Sequence, residues 1–433
     1  MKRTSYAAVL IALVALSFLS GFAYQDVAAT GDFRNLLGTL RLLPDKVQMA
    51  ARAEFTESNT ELPPVQTYWS VFSYLNSRYY AVGKAPRPAE LSYAAIQGML
   101  GALGDPYTRF LDPDQNKRMQ EENRGEFEGI GAHLTEKDGW VMIKKPIQDS
   151  PAHRAGVKAG DIILKVDDRS ITGLNLEKEV VPIIRGPRGT PVKLTIKREN
   201  VPEPLEIEII RDVVRPAIVE ARMEDEVSKI GYIILGQFNQ NADQQFDDRL
   251  KELESQNMRA LILDLRDNPG GLLDVAIDIG SRFIQRGDVV IIQSKGGRRE
   301  HRTVEPSKHN HRMYPLVVLV NELSASASEI VAGAIQDHKA GTLVGTDTFG
   351  KGLVQTIMNV QGRSAVAITT AKYFTPSGRD VKKDKIHPDI VVEFSDEDIE
   401  NDNDVQLKRA VQLLKERLGD SPAIAENQAR KKG

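Results

Sequence analysis

The amino-acid sequence predicts a multidomain α/β protein with a β-rich insert and helical regions at both ends. From about Arg222 onward, fully apolar segments alternate with helical patterns, and Leu261–Leu265 and Leu316–Val320 are the clearest of these segments. Such strands are typical of a sheet that is covered on both faces. Between about Gln120 and Asp212, short β-rich runs are separated by glycine and proline instead, which predicts a distinct β-rich domain.

Length, charge and cysteine content narrow the classes of function. A chain of 433 residues corresponds to two to four domains at roughly 100–200 residues each. The 57 basic and 60 acidic residues are interspersed and give a net charge of −3, so the sequence lacks the basic stripe that nucleic-acid binding needs. There is no cysteine, which excludes disulfides, thiolate catalysis and sulfur-ligated metal sites.

The first 29 residues are typical of an export signal. Cations at positions 2 and 3 precede an uncharged stretch from Thr4 to Gln25 with an apolar core. Ala23 and Ala29 each fit the end of a cleaved signal peptide, whereas a run of roughly 17–25 apolar residues can also stay as a membrane anchor. Both outcomes are open. The leader lacks the Arg- and Ser-rich composition of organelle targeting, so we expect export to the bacterial periplasm, soluble or anchored to the inner membrane.

Two regions, residues 30–115 and 396–433, are predicted to be mainly helical. In the first, apolar residues recur at three- and four-residue spacing up to Gly104-Asp105-Pro106, a sequence that stops a helix. In the second, an acidic run precedes an amphipathic helix from about Val405 to Leu418.

The β-rich insert, residues 116–212, carries a specific sequence pattern. Residues 150–167 combine a short helix, a tight glycine turn and a Gly-Asp pair that opens a strand. This pattern resembles PDZ domains, which implies recognition of a peptide terminus by strand addition to a sheet edge. Backbone N–H groups around the glycines can converge on a carboxylate, so we expect Gly129, Ile130 and Gly131 to bind the peptide. The alternative is a PDZ-shaped spacer with a degenerate groove.

Three segments of the region 213–395 carry the residues that suggest catalysis. They are Val318–Ile330, Phe349–Gln355 and Asp264–Gly271. The first is a buried strand that runs into a helix beginning among small residues, where Ser326 followed by Glu329 is by itself only a capping box. The second places Lys351 between two glycines, and the third ends a strand in a glycine turn.

In this order, and together with Tyr373–Gly378 and His387–Asp389, these segments resemble the carboxyl-terminal processing, or tail-specific, protease family. The resemblance covers roughly residues 65–395. It implies a crotonase-like and Clp-protease-like α/β core into which the PDZ domain is inserted. It also implies a serine endopeptidase that cleaves proteins near their carboxyl termini and needs no metal or nucleotide.

Residue by residue, the resemblance assigns the nucleophile to Ser326, the base to Lys351 and a supporting amide to Gln355. A serine hydroxyl becomes an effective nucleophile when a base takes its proton, and a lysine can do so only if burial keeps its amine neutral. We therefore expect Lys351 in a dry pocket. Gln355 follows Lys351 by four residues, so a strand would place both side chains on one face.

Stabilisation of the reaction's oxyanion needs fixed N–H donors. The resemblance points to the same two places as the residues themselves, namely the glycine turn at Gly270 and Gly271 and the helix start at Ala327. Asp337 also falls on an acidic position of the family, where a structural role is an equal alternative.

Other chemistries fit the sequence less well. Gly345–Lys351 looks like a phosphate-binding loop, but Gly352 stands where that loop needs Ser or Thr. His309 and His311 have no third ligand nearby in sequence, so we expect no metal site. No serine lies in a Gly-x-Ser-x-Gly elbow.

The expected partners are protein substrates with accessible, apolar carboxyl-terminal tails. An adaptor protein, a homo-oligomer and N-terminal membrane association are left open, and no nucleic-acid partner is expected. We further hypothesise that the PDZ domain gates the catalytic pair when it recruits a tail. The alternative to an enzyme is a catalytically silent scaffold that binds peptides through its PDZ domain.

Overall fold

The computed structural model describes residues 65–80, 86–137, 139–310, 312–401 and 403–419. The chain divides into two units, residues 1–91 and 92–433. The predicted export segment, residues 1–29, lies outside the described residues. None of the helices within the described ranges has the length and apolar character that crossing a bilayer requires.

Two helices follow the apolar spacing of the N-terminal region. In the first unit the structure describes helix α1 (Val65–Arg78) and the start of helix α2 (Pro88–Gly101). Helix α2 begins with a proline, whose missing N–H would have no helical partner there. The backbone N–H of Arg87 donates to the carboxylate of Glu90 at 2.9 Å, which fixes the entry to α2.

The second unit continues with strand β1 (Arg109–Leu111) and helix α3 (Pro113–Arg124). The side chain of Asp112 caps α3 by accepting the backbone N–H of Gln115. The helix ends at Gly125, which has a left-handed φ of 70°. Both ends of α3 are therefore fixed by local hydrogen bonds where the chain enters the β-rich domain.

The β-rich domain is built mainly from one antiparallel sheet of strand order β3-β4-β5-β7-β8, in which β6 also pairs with β5. The first and last strands of this domain, β2 and β9, pair with each other in a separate two-stranded ribbon. The strands are β2 (Phe127–Gly129), β3 (Ala132–Lys137), β4 (Trp140–Pro146), β5 (Ile162–Val166), β6 (Arg169–Ser170), β7 (Pro191–Lys197), β8 (Leu205–Ile210) and β9 (Asp212–Val214). The helices are α4 (Pro151–Arg154) and α5 (Val181–Ile184), the latter preceded by a π-helical turn at Leu176–Val180.

Residues 127–134 do not form one continuous strand, because β2 ends at Gly129 and β3 begins at Ala132. Gly131 has a φ of 76°, and a Cβ at this position would lie 2.4 Å from the Cβ of Ser150. Only glycine fits this left-handed, crowded position, so the chain turns between β2 and β3 instead of forming one strand.

The rest of the unit is an α/β core with two sheets. The first has the strand order β10-β11-β12-β15-β16-β19 and is parallel from β11 onward. Its strands are β10 (Val219–Asp225), β11 (Ile230–Leu235), β12 (Ala260–Asp264), β15 (Leu316–Val320), β16 (Thr342–Gly345) and β19 (Ile390–Val391). The prediction for β15 is confirmed, and β12 begins and ends one residue earlier than predicted.

The second sheet has the strand order β1-β18-β13-β14, and β17 also pairs with β18. Its further strands are β13 (Asp288–Ser294), β14 (Arg299–Thr303), β17 (Leu353–Asn359) and β18 (Ala365–Phe374). The helices of the core are α6 (Ala242–Ser255), α7 (Leu273–Ser281), α8 (Ala327–Asp337), α9 (Val381–Asp384), α10 (Asp396–Glu400) and α11 (Val405–Leu418). The bounds predicted for α11 are confirmed.

Both faces of the parallel sheet are buried, which explains its fully apolar strands. On one face, β11, β12 and β15 pack against helices α6, α7 and α8 and against β13. On the other face, Tyr232, Ile262 and Val317 pack against Leu407 and Leu414 of α11. The alternating side chains of each strand thus enter two different cores.

Candidate active site

A cavity of about 550 Å³ lies where the parallel sheet meets the β17–β18 hairpin. Six of the predicted site residues line it: Gly270, Gly271, Ser326, Ala327, Lys351 and Gln355. They come from the loops that follow β12 and β15, from the start of α8 and from the segment at β17. The fold therefore brings together three segments that are far apart in sequence.

Ser326 lies at the junction between the loop after β15 and helix α8. Its backbone has φ 56° and ψ −111°, a conformation that residues with a side chain rarely adopt. Such strain costs on the order of 1–3 kcal/mol and persists where surrounding contacts enforce it. One of these contacts is the backbone N–H of Ser326, which donates to Oε2 of Glu329 at 2.9 Å.

Glu329 is fully buried and connects the serine and lysine segments. Its carboxylate accepts five hydrogen bonds, from Ser326 N–H at 2.9 Å, Thr348 Oγ1 at 2.7 Å, Gly350 N–H at 2.7 Å, Lys351 N–H at 3.0 Å and Tyr373 OH at 3.1 Å. Burial, followed by the nearby carboxylate, raises the pKa of Tyr373, so its phenol stays a donor. The sequence alone presents Glu329 as a helix-capping residue, and the contacts with the lysine segment are visible only in the fold.

Lys351 lies in a tight loop between Gly350 and Gly352, whose φ values are 87° and 53°. A Cβ at Gly352 would lie 2.3 Å from the backbone nitrogen of Lys382, so the loop packs closely against α9. Burial lowers the pKa of Lys351, and the positive charge of Arg109 lowers it further, while Glu329 opposes the shift. The amine is therefore biased towards the neutral form that a general base requires.

The predicted relation between Lys351 and Gln355 is wrong in one respect. Strand β17 begins at Leu353, so Lys351 precedes it, and the pairing with β18 shifts between Val354 and Gln355. The two-residue alternation of a strand therefore does not connect the two side chains, although both line the cavity. The Nε2 atom of Gln355 is buried and has no hydrogen-bond partner among the described residues.

The glycine turn after β12 lies directly against the serine. A Cβ at Gly270 would lie 2.7 Å from the carbonyl oxygen of Ala325, so a side chain has no room there. The N–H of Gly270 donates to Oδ1 of Asn268 at 2.9 Å. The N–H groups of Gly271 and Ala327 donate to no acceptor within the described ranges, so these two remain available to a substrate oxygen.

Asn268 organises this turn and is not evident from the sequence. It is fully buried, and its Nδ2 donates to the carbonyl of Leu235 at 2.6 Å. Its own carbonyl accepts the N–H of Ala325 at 3.0 Å and the hydroxyl of Ser328 at 2.9 Å. The side chain and backbone of Asn268 thus connect the glycine turn with the serine loop.

The segment that the sequence predicts as a helix stop forms another wall of the cavity. Pro106, Tyr107 and Arg109 line it. Thr108 donates its hydroxyl to Asp105 at 2.7 Å and accepts the backbone N–H of Thr369 at 3.0 Å, which holds the segment against β18. The Gly-Asp-Pro sequence signals the end of α2 but not this contact across the fold.

Asp337 lies at the far end of α8 from Ser326. Its carboxylate forms an ion pair with Arg379 at 2.6 Å and accepts the backbone N–H of Ser377 at 2.8 Å. Asp337 does not line the cavity, and these contacts favour the structural alternative for it.

Gly129, Ile130 and Gly131 lie in the β-rich domain and do not line the cavity. The carbonyls of Ile130 and Gly131 accept the N–H groups of Ala152 and Ile147 at 2.7 and 2.9 Å, which anchors the loop. Arg185, which the sequence does not single out, lies beside it: the Cγ of Arg185 is 3.6 Å from a Cβ placed on Gly129.

The Arg185 side chain also links this loop to α3. It pairs with Glu121 at 3.0 Å, and its guanidinium lies 4.6 Å from the ring centroid of Phe127. Of the two histidines considered as metal ligands, His309 follows a 3₁₀ turn and His311 lies outside the described residues.

Two family models match parts of this chain. Residues 229–392 match the profile of Peptidase family S41, and residues 142–198 match that of a PDZ domain. A carboxy-terminal-processing protease of Bartonella bacilliformis is 40% identical over 333 residues, which cover 75% of this chain and 74% of that protein. A carboxyl-terminal-processing protease of Synechocystis sp. is 38% identical over 356 residues, 81% of each chain.

Solved structures show a similar fold. A Bacteroides fragilis protein assigned to the S41 proteases superimposes with a TM-score of 0.51, at 17% sequence identity, over 81% of this chain and 97% of that one. At this identity the likeness concerns the fold alone.

Proposed function

The chain belongs to peptidase family S41 and is a carboxyl-terminal processing serine protease with a PDZ domain, and from this premise we propose that Ser326 and Lys351 form its catalytic pair. The observation that carries the proposal is the cavity that both residues line. Within it, a strained serine, a half-buried lysine and two unengaged N–H groups meet. Family membership favours this enzyme over the silent scaffold.

The reaction follows from these groups. Lys351 accepts the hydroxyl proton of Ser326 while the serine oxygen attacks the scissile carbonyl carbon. The oxyanion that forms receives hydrogen bonds from the N–H groups of Gly271 and Ala327. Lys351 then donates its proton to the leaving amine, and the acyl-enzyme is hydrolysed by a water that Lys351 deprotonates.

Three further residues support this pair without contacting the scissile bond. Glu329 holds the backbones of Ser326 and Lys351 through two of its hydrogen bonds. Gln355 presents a buried amide group in the same cavity, where it could orient the lysine amine. Gly270 contributes a position without a side chain, which lets the turn approach Ser326.

The PDZ domain supports the recognition of carboxyl-terminal tails of protein substrates. Gly129, Ile130 and Gly131 are the proposed peptide-binding loop, with Arg185 as a nearby cation. The contact of Arg185 with Glu121 of α3 offers a route by which tail binding could affect the protease core, as the gating hypothesis requires.

The proposal also includes the location of the protein in the cell. The relatives named above are bacterial processing proteases, and the N-terminal sequence supports export to the periplasm, with the first segment either cleaved or kept as an anchor. An adaptor protein and a homo-oligomer are compatible with this assignment.

A cleavage assay tests the proposed pair. An unstructured protein with an apolar carboxyl terminus is incubated with the chain from Ala29 onward and with its Ser326→Ala and Lys351→Ala variants. Ser307→Ala and Lys383→Ala, which change exposed residues away from the cavity, are the matched controls. We expect cleavage by the parent and the controls only. Full activity of either active-site variant would refute the pair.

A further inference from the structure

One charged side chain of the cavity wall has no role in the reaction described above. Arg109 lies on β1, where its backbone pairs with Ala367 of β18, and both residues line the cavity. Within the described part of the chain, the guanidinium of Arg109 forms no hydrogen bond or ion pair. The segment is held by its neighbours, since Thr108 accepts a hydrogen bond from Thr369 and Phe110 is buried, so the Arg109 side chain is not needed to anchor it.

Arg109 lies on the Lys351 side of the cavity. The ring centroid of Tyr107, two residues earlier, is 5.5 Å from Nζ of Lys351. Arg109 is also close enough to lower the pKa of Lys351 through its positive charge, in addition to burial. In the proposed reaction Lys351 protonates the leaving amine, so a neighbour of its amine lies beside the leaving fragment.

The other charges of the cavity leave Arg109 available. Among the described residues that line it, the charged side chains are those of Arg109, Glu122 and Lys351. Lys351 must be neutral to act as a base, and Glu122 forms no ion pair with Arg109. When Lys351 is neutral, Arg109 is therefore the one cation among the described residues that line the cavity.

We propose that Arg109 is a substrate-binding residue that holds a carboxylate of the leaving fragment. A guanidinium offers paired N–H donors that match the two oxygens of a carboxylate. The carboxylate has two sources, the terminal carboxylate of the substrate or an Asp or Glu side chain on the leaving side. The proposal rests on the proposed function, because a leaving fragment exists only if the serine and lysine cleave the chain.

Two pairs of peptides distinguish these sources. The first pair differs only in a free or an amidated carboxyl terminus. The second pair carries an amidated terminus and differs only in Glu or Gln on the leaving side. For each pair, the ratio of kcat/KM between the charged and the neutral peptide is measured with the parent protein and with its variants.

Arg109→Met removes the guanidinium, and Arg109→Gln serves as a second neutral variant if the first does not fold. Arg286→Met changes an exposed arginine in the turn between α7 and β13 and is the matched control. We expect the ratio to fall about 10- to 100-fold in the Arg109 variants for at least one pair, the range for a lost charge-assisted hydrogen bond. The control should keep the parent ratio.

The two pairs identify the source of the carboxylate. A loss in the first pair assigns the terminal carboxylate, and a loss in the second assigns the side chain. Tail binding by the PDZ domain contributes equally to parent and variant, so the comparison isolates Arg109. Unchanged ratios in both pairs would overturn the proposal.

A second readout uses the neutral peptides. Because the charge of Arg109 disfavours protonation of Lys351, the pH below which kcat/KM falls should move upward in Arg109→Met and stay in place in Arg109→Lys. An unmoved acidic limb in Arg109→Met would also contradict the assignment. Ser326→Ala distinguishes failure of this proposal from failure of the proposed function. If Ser326→Ala abolishes cleavage while the Arg109 variants keep the parent's ratios, only the role of Arg109 is refuted.

Discussion

The carboxylate of Glu329 accepts the backbone N–H of Lys351 at 3.0 Å. The same oxygen accepts the backbone N–H of Ser326 at 2.9 Å, so one buried atom fixes the main chain of both proposed catalytic residues. The spacing of the pair therefore depends on a third side chain that takes no part in proton transfer.

Replacing Glu329 tests this dependence. Glu329→Gln keeps the shape but turns an NH₂ group towards N–H donors, so we expect kcat to fall about 10- to 1,000-fold and stability to fall by about 1–3 kcal/mol. Both are measured, by peptide cleavage and by urea unfolding. Glu322→Gln, an exposed neighbour on the loop after β15, is the control. A Glu329→Gln enzyme with unchanged kcat would show that catalysis does not depend on the hydrogen bonds from Ser326 and Lys351 to the Glu329 carboxylate.

The depressed pKa of Lys351 predicts the pH dependence of activity. The amine loses its proton below the ordinary value of 10.5, so kcat/KM should rise with pH through an apparent pKa below that value and fall as the amine becomes protonated. Lys351→Arg, which stays protonated, should be inactive at every pH. A pH–rate profile with a limb at the ordinary lysine value would contradict the burial of the amine.

The same shift predicts the pH dependence of stability. The pKa of Lys351 is lower in the folded protein, so between that pKa and 10.5 the unfolded chain binds more protons at Lys351 than the folded chain does. The free energy of unfolding therefore increases with pH across this window. Lys351→Met removes the penalty for the partly buried amine. We expect this variant to be more stable than the parent at neutral pH, with a difference that shrinks above the window. Urea unfolding of both proteins at several pH values measures it.

The hydrogen bonds of Asn268 predict a role for it in the oxyanion site. Asn268→Ala leaves the N–H of Gly270 and the carbonyl of Leu235 without their partner, so we expect a loss of about 2–4 kcal/mol in stability and of about 10- to 100-fold in kcat. Ser328→Ala removes only a hydroxyl bond to the Asn268 carbonyl and should cost far less. Equal effects of the two variants on kcat would argue against the prediction.

Two glycines of the PDZ domain provide a matched test of its peptide loop. Gly131 and Gly139 share a φ of 76°, but a Cβ meets Ser150 at 2.4 Å at the first position and nothing within 4 Å at the second. Gly131→Ala should therefore weaken tail-peptide binding about tenfold or more, beyond the backbone strain that both variants carry. Binding is measured by fluorescence anisotropy. Equal binding by the two variants would exclude Gly131 from the groove.

Removal of the PDZ domain tests gating. The variant lacking about residues 120–212 should lose its selectivity for tail-bearing substrates and change its cleavage rate. Cleavage at the parent rate and selectivity would reject the gating hypothesis, while leaving the catalytic pair untouched.

Local patterns predicted the architecture well where neighbours in sequence determine it. The strand Leu316–Val320 and the helix Val405–Leu418 have the predicted bounds because their periodicity reflects burial directly. Ser326 and Lys351 came from the resemblance to a family, and their spacing in sequence does not by itself imply a shared cavity. These segments meet because β15 and β17 belong to different sheets that pack together.

Contacts between distant segments were not predictable from the sequence. Thr108 and Thr369 are 261 positions apart, and nothing in either neighbourhood indicates the hydrogen bond that positions Tyr107 and Arg109. Glu329 satisfies a local capping pattern, which conceals its contacts with the lysine loop. The strand argument for Gln355 failed because the Lys351 loop packs closely against α9 and precedes β17, which begins at Leu353, and because the pairing then shifts between Val354 and Gln355.

Helix α11 follows all the other elements of the core in the chain and completes the packing on one face of the parallel sheet. Asp404, which caps this helix, pairs with Arg266 at 2.8 Å, and Arg266 lies just before the glycine turn of the oxyanion site. All proposed catalytic residues leave the ribosome before this helix does. The contact between Asp404 and Arg266 therefore forms only after every proposed catalytic residue has been made, so the packing that surrounds the oxyanion turn is completed last.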